Sequence, residues 1–217
     1  MLVAYKWFLE LLIWIPPTLM AISWRESAKA LACHYRGDPS IKSIGKTSFA
    51  MSNLDPIGSL LAPVLLILRQ NYVYGWTEST VIRKNFLKGG QTDVIGVVCI
   101  GFLANLAMAI GWLWMAKLAL GLERSLPTVS EFLLIAAEAG VQINILLICI
   151  HLIPLPPLDM SYVVRGLLPR YPKALYTQFD PIGHYIITLL LLFKVAQPYI
   201  KPLYELLSGE LQMMVGL

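Results

Sequence analysis

Ionisable side chains inside apolar runs are where chemistry is sought first, because a charge at membrane depth is retained only where it is paired or used. The densest group is Trp24-Arg25-Glu26-Ser27-Ala28-Lys29. Arg25 and Lys29 are four residues apart, so a helix puts both cations on one face, and Glu26 lies three before Lys29, close enough to pair with it. On its own the group is either a set of snorkelling cations at a helix end or a functional charge cluster. A second group is Pro154-Leu155-Pro156-Pro157-Leu158-Asp159. Its prolines remove backbone donors and prevent a helix, and extended backbone at membrane depth survives only when buried in protein or facing water. Asp159 then projects from a break between helices, as an N-cap for the next helix, as a functional carboxylate, or as both. A third series, Glu138, Gln142, Asn144 and His151, lies on one apolar run. Glu138 and Gln142 are one turn apart and can hydrogen-bond across to another helix, within the chain or in a partner subunit, while Asn144 and His151 share a face two turns apart. No two of His34, His151 and His184 have the spacing of a helical ligand pair. Cys33, Cys99 and Cys149 all sit in apolar stretches and read as packing residues.

The elements that must carry these residues follow from composition. The chain has 217 residues, of which 14% are charged, where a soluble domain carries about 25%. With 57% hydrophobic residues and a mean hydropathy of +0.66, it is not a disordered chain, a fibrous repeat or a disulfide-stapled module. The formal charge of +4 reflects loop cations and implies no nucleic-acid partner. Five apolar stretches, 7–33, 57–70, 93–121, 131–153 and 182–197, predict an all-α polytopic membrane protein of about five transmembrane helices. The expected organisation is a single transmembrane domain over 1–217, with a core at about 11–195 and an amphipathic interfacial tail at 198–217. The first apolar segment outruns a signal-peptide core, so the first helix is expected to stay attached. Pro16-Pro17 predicts a kink or a separate interfacial piece within it. Asp55-Pro56-Ile57-Gly58 and Asp180-Pro181-Ile182-Gly183 both read as capped helix starts. Residues 34–54 and 71–92 read as polar membrane-associated loops, the first with a short hairpin as its alternative. Lys117 is expected to snorkel and the six tryptophans to populate interface belts.

Taken in order, these motifs resemble those of the site-2 proteases, intramembrane zinc metalloproteases with H-E-x-x-H on one transmembrane helix and an N-x-x-P-x-P-P-L-D-G-like motif on a later one. The corresponding residues here are Arg25-Glu26-Ser27-Ala28-Lys29 and the run from His151 to Met160. Tyr35-Arg36-Gly37-Asp38-Pro39 is similar to the family's Y-R-x-G-D-P stretch, Asn53-Leu54-Asp55-Pro56-Ile57-Gly58 to its H-x-D-P-x-G, Gly75-Trp76 to its G-W, and Gly101-Phe102-Leu103-Ala104-Asn105 to its G-P-x-x-N. The resemblance implies a site-2-protease-like core, zinc held by both histidines and the aspartate, and a glutamate activating the metal-bound water. The departures fall on that chemistry. Both histidine positions are cations here, and a guanidinium has no lone pair to give. His151, matching the family's asparagine, is the remaining candidate for a rebuilt metal site near Asp159.

Arg25 and Lys29 supply the two positive charges that the metal would have brought to Glu26 and Asp159. The expectation is therefore a structural ionic cluster of Arg25, Glu26, Lys29 and Asp159 on the vestigial metal site, with Glu26 a vestigial catalytic residue and no cofactor. The expected protein is a catalytically inactive member-like pseudoprotease of a bacterial cytoplasmic membrane that binds or scaffolds other transmembrane proteins in the lipid bilayer, including as a subunit of a larger complex. The alternative is an active intramembrane zinc metalloprotease with atypical ligands.

Overall fold

A computed structural model of the chain describes residues 2–40, 54–69 and 72–215. Among the described residues the structure is all-helical, with no β-strand. Helix α1 spans Leu2–Tyr35, α2 Ile57–Leu68, α3 Gln91–Leu122, α4 Pro127–His151, α5 Asp159–Leu167, α6 Arg170–Thr177, α7 Gly183–Leu192 and α8 Gln197–Val215, with a short 3₁₀ turn at Lys84–Phe86.

Among the described residues, three helices are long and apolar enough to cross a membrane: Tyr5–Tyr35 of α1, Gln91–Leu122 and Pro127–His151. The count of about five is thus refined to three, or four if α7 and α8 act as one broken span. The stretch at 57–70 becomes the twelve-residue α2, about 18 Å long against a hydrocarbon core of about 30 Å. The stretch at 182–197 ends at Lys194, whose φ of 62° is outside the helical region. There α7 and α8 meet at 87°. The expected tail helix forms, and Ile200 and Leu211 of α8 are buried in the core. The expected hairpin within 34–54 falls largely at 41–53, outside the described residues, as does Asn53.

Pro16-Pro17 does not divide the first helix, which runs through both residues as one element. The Thr18 hydroxyl donates to the Trp14 carbonyl at 2.7 Å within this turn. Residues Ala21, Ile22, Arg25, Lys29, Ala30 and Cys33 form the buried stripe of α1, at helical spacing. Two of the side chains in that stripe are cations.

The two D-P-I-G segments part company. Asp55 Oδ1 accepts the Ile57 N–H at 2.9 Å, as a capping carboxylate does, and Oδ2 accepts the Trp76 indole N–H at 2.9 Å. Asp180 caps nothing; it is turned to the Arg165 guanidinium, and α7 starts at Gly183 without a side-chain cap. Gly183 is required there for a different reason, because a Cβ would collide with the Pro156 carbonyl. The start of α7 is pressed against the Pro-rich break.

Candidate functional site

Helix α4 stops at His151, the chain runs non-helically through the prolines with a cis Pro156-Pro157 bond, and α5 starts at Asp159. Leu158, not Asp159, occupies the cap position of α5. The Asp159 carboxylate is thereby left to face α1. Its Oδ2 pairs with Arg25 Nη2, and its Oδ1 accepts from Lys29 Nζ at 2.7 Å. Lys29 Nζ also donates to Glu26 Oε1 at 2.7 Å. Arg25, Lys29 and Asp159 are 1%, 2% and 0% exposed, which separates them from the solvated charges at the helix ends, so snorkelling does not describe them.

Further donors and acceptors tie this cluster to its surroundings, while the buried Arg25 Nε has no hydrogen-bond partner among the described residues. Glu26 Oε2 accepts the Thr80 backbone N–H at 2.7 Å, and the Thr80 hydroxyl donates to the Glu26 carbonyl at 3.2 Å. Arg25 Nη1 donates to Asn105 Oδ1 at 2.9 Å, Asn105 Nδ2 to Asn144 Oδ1 at 2.9 Å, and Asn144 Nδ2 to the Gly140 carbonyl at 2.8 Å. The guanidinium also lies 5.5 Å from the Phe102 ring centroid. Helices α1, α3 and α4 are therefore joined by one chain of polar contacts. Charges sum to zero within it, with two cations against two carboxylates, which is what lets such a group stay buried.

Gly101 of α3 admits the cluster. A Cβ there would lie 2.9 Å from Asp159 Oδ2, 3.0 Å from Lys29 Cδ and 3.2 Å from Arg25 Nη1. His151 is buried beside the same carboxylate, with Nδ1 3.6 Å from Asp159 Oδ1, too far for a hydrogen bond.

Of the four polar residues singled out on α4, the structure brings two to the cluster and leaves two away from it. Asn144 makes the interhelical contact with Asn105, and His151 sits beside Asp159. Glu138 and Gln142 do not reach across to another helix: Gln142 Nε2 donates to Glu138 Oε1 at 3.0 Å within α4 itself, at an exposed position. At i,i+4 spacing the nearest partner is on the same helix. Reasoning from sequence missed Asn105, Thr80 and Gly101 as members of the site. Asn105 and Gly101 carried a signal, being the two ends of one G-x-x-x-N motif on an apolar helix; Thr80 holds the Glu26 carboxylate through a backbone N–H that any residue but proline supplies, and carried none.

A second polar group packs behind the first. The Tyr74 hydroxyl is 2.8 Å from His184 Nδ1 and the Ser79 hydroxyl 3.0 Å from Nε2, while the Trp76 ring stacks on the imidazole with centroids 5.0 Å apart and planes 5° apart. Trp76 N–H donates to the Gly58 carbonyl at 3.0 Å, and its carbonyl accepts from the Ser59 hydroxyl at 2.9 Å. Thus the D-P-I-G and G-W motifs interlock, and both imidazole nitrogens of His184 face hydroxyls.

The donor set does not fit zinc. Arg25 offers no lone pair, Lys29 Nζ is directed at two carboxylates, and both Asp159 oxygens face those cations. Among the described residues no three His, Cys, Asp or Glu side chains are grouped so as to hold a metal ion.

The fold defines a polytopic all-α membrane protein, with three or four candidate spans among the described residues. The chain is 27% identical over 175 residues to the Bacillus subtilis (strain 168) protein "Putative zinc metalloprotease YwhC", an alignment covering 79% of this chain and 76% of that protein. This similarity bears out the resemblance to the site-2 proteases read from the motifs. No family model matches the chain, and no solved structure matches it significantly.

Proposed function

We propose that this chain is a site-2-protease-like pseudoenzyme that performs no hydrolysis and binds or scaffolds other transmembrane chains, as a subunit of a larger complex in a bacterial cytoplasmic membrane. One observation carries this reading. All four carboxylate oxygens of Glu26 and Asp159 accept from donors of the same chain: Arg25, Lys29 and the Thr80 backbone. A metal ligand must offer a free lone pair, and a general base must reach a water or substrate proton. Every oxygen of the two carboxylates is thus held by a donor of the chain itself, three of the four by a cation, which opposes the approach of a metal ion. The resemblance implies a core that admits a transmembrane substrate, and loss of chemistry does not by itself remove a capacity to hold a helix. The bacterial membrane assignment is supported by the Bacillus subtilis relative.

The test is the purified protein in lipid nanodiscs, incubated with a single-span reporter polypeptide and zinc. The expected result is intact reporter retained with the protein and no stoichiometric zinc by elemental analysis. Reporter cleavage that disappears in Glu26→Gln, or zinc bound in a manner that depends on Asp159, overturns the reading in favour of an active metalloprotease with atypical ligands.

A further inference from the structure

Glu138 is the one polar group of α4 singled out above whose ionisable head faces outward and is engaged only by its own helix. It lies eleven residues into a helix of 25, about 16 Å from one end and about 20 Å from the other at 1.5 Å per residue. That depth is close to the bilayer midplane, where water and lipid headgroups do not reach. The side chain is exposed on the bundle, and its Oε1 accepts from Gln142 Nε2 at 3.0 Å. Among the described residues no cation is ion-paired with it. Lys117, the residue after Ala116 on the facing helix α3, has Nζ 5.6 Å from the Trp114 ring centroid, and no ion pair joins it to Glu138.

Around this carboxylate α3, α4 and α8 form a groove of about 340 Å³, lined by Leu113, Ala116, Ile135, Gln142 and Tyr204 beside Glu138. The groove is apolar except for the Glu138–Gln142 pair and the hydroxyls of Tyr204 and Ser208, and the Ser208 hydroxyl is directed to its own helix, donating to the Glu205 carbonyl at 3.1 Å. An intramembrane carboxylate held open in an apolar groove calls for a cation at the same depth. The Arg25 and Lys29 of a second copy cannot supply one, because they are buried and already paired, and Lys117 of a second copy lies about 8 Å from the end of α3, short of that depth.

We propose that this groove receives a transmembrane helix of another protein carrying one lysine or arginine at mid-bilayer depth, with Glu138 as its counter-ion and Gln142 holding that carboxylate in orientation. This names the partner surface and partner chemistry for the scaffold reading above, and it rests on that reading.

The test uses the full chain in phosphatidylcholine vesicles with synthetic Leu/Ala transmembrane peptides bearing one central Lys, Leu or Glu, and reads binding by energy transfer between labels. The wild-type chain is expected to bind the central-Lys peptide at least about tenfold more tightly than the central-Leu peptide, with Glu138→Gln reducing that preference to within about twofold. Glu138→Lys is expected to transfer the preference to the central-Glu peptide. Equal binding of the Lys and Leu peptides by the wild type, or a Lys preference that survives Glu138→Gln, overturns the proposal. So does self-association of labelled chains that depends on Glu138, since the occupant would then be a second copy. Glu138→Gln is nearly isosteric and outward-facing, and an unchanged melting curve identifies it as folded. Electrophoresis of the recovered peptides separates the two readings. Uncut peptide without a Lys preference removes only this groove; cut peptide removes the non-hydrolytic reading whatever the preference.

Discussion

The Glu26 carboxylate accepts the backbone N–H of Thr80 at 2.7 Å, so the residue standing where the resembled enzymes keep a general base is tied to the extended segment that runs past it. Its other oxygen is bound to Lys29. Glu26→Gln exchanges one of the two accepting oxygens for a donor that confronts either the Lys29 ammonium or the Thr80 N–H. The expected loss is about 1–3 kcal/mol of stability, the cost of a stranded buried donor. It is measured as a lowered melting midpoint in detergent, with faster hydrogen exchange at the Thr80 amide. An unchanged Thr80 exchange rate would contradict the contact.

Among the described residues, Asp159 is the only carboxylate shared by both cations. Asp159→Asn leaves Arg25 without its ion pair and Lys29 with Glu26 alone, and removing one partner of a buried ion pair typically costs about 3–5 kcal/mol. The melting midpoint of Asp159→Asn is expected to fall further than that of Glu26→Gln. Equal midpoints would mean that the cluster contributes little.

Arg25→His with Lys29→His tests the correspondence with the zinc motif, because Glu26, Asp159 and the Pro-rich break are already in register. The double variant is expected to take up zinc, read by elemental analysis. Each single variant is expected to be less stable than the parent, because it unbalances two cations against two carboxylates. A folded double variant that binds no zinc, beside singles as stable as the parent, would show that the two segments do not form such a site. Proteolysis need not accompany zinc uptake, since Met160 follows the aspartate where the family has a small glycine.

Gly101 and Gly111 lie on the same helix and make a matched pair. A Cβ at 101 would press on Asp159, Lys29 and Arg25, whereas one at 111 meets nothing within 4 Å. Gly101→Ala is expected to destabilise by about 1–3 kcal/mol through overpacking. Gly111→Ala is expected to be neutral or to stabilise by up to about 1 kcal/mol through helix propensity. Thermal unfolding of the two variants side by side checks both, and a neutral Gly101→Ala would show that the helices can separate there without loss.

The charge cluster was legible in the sequence because a carboxylate or an ammonium at membrane depth has few ways to exist, so residue type alone announces a partner. Asn105 was not recognised as part of the site because a single asparagine on an apolar helix satisfies itself in many ways, and only the meeting with Arg25 and Asn144 makes it a bridge. The expectation of about five spans narrows to three or four among the described residues for a different reason. Hydropathy measures what a stretch is made of and not where its axis turns, and the turn at Lys194, a non-glycine residue at positive φ, has no signature in composition. The paired D-P-I-G segments likewise look alike as text. Asp55 has a free N–H and an indole before it, while Asp180 has Arg165 within reach, and the stronger charge partner wins.

The arrangement at Asp159, with each oxygen matched to its own cation on a single helix, also constrains how such a chain can diverge. A step that converts only one of Arg25 and Lys29 to an uncharged ligand passes through a protein with net negative charge sealed in its interior. The two positions can be exchanged safely only together, or after one of the carboxylates has gone. The two positions are therefore coupled in inheritance: the fold itself selects against the single-exchange intermediates in either direction.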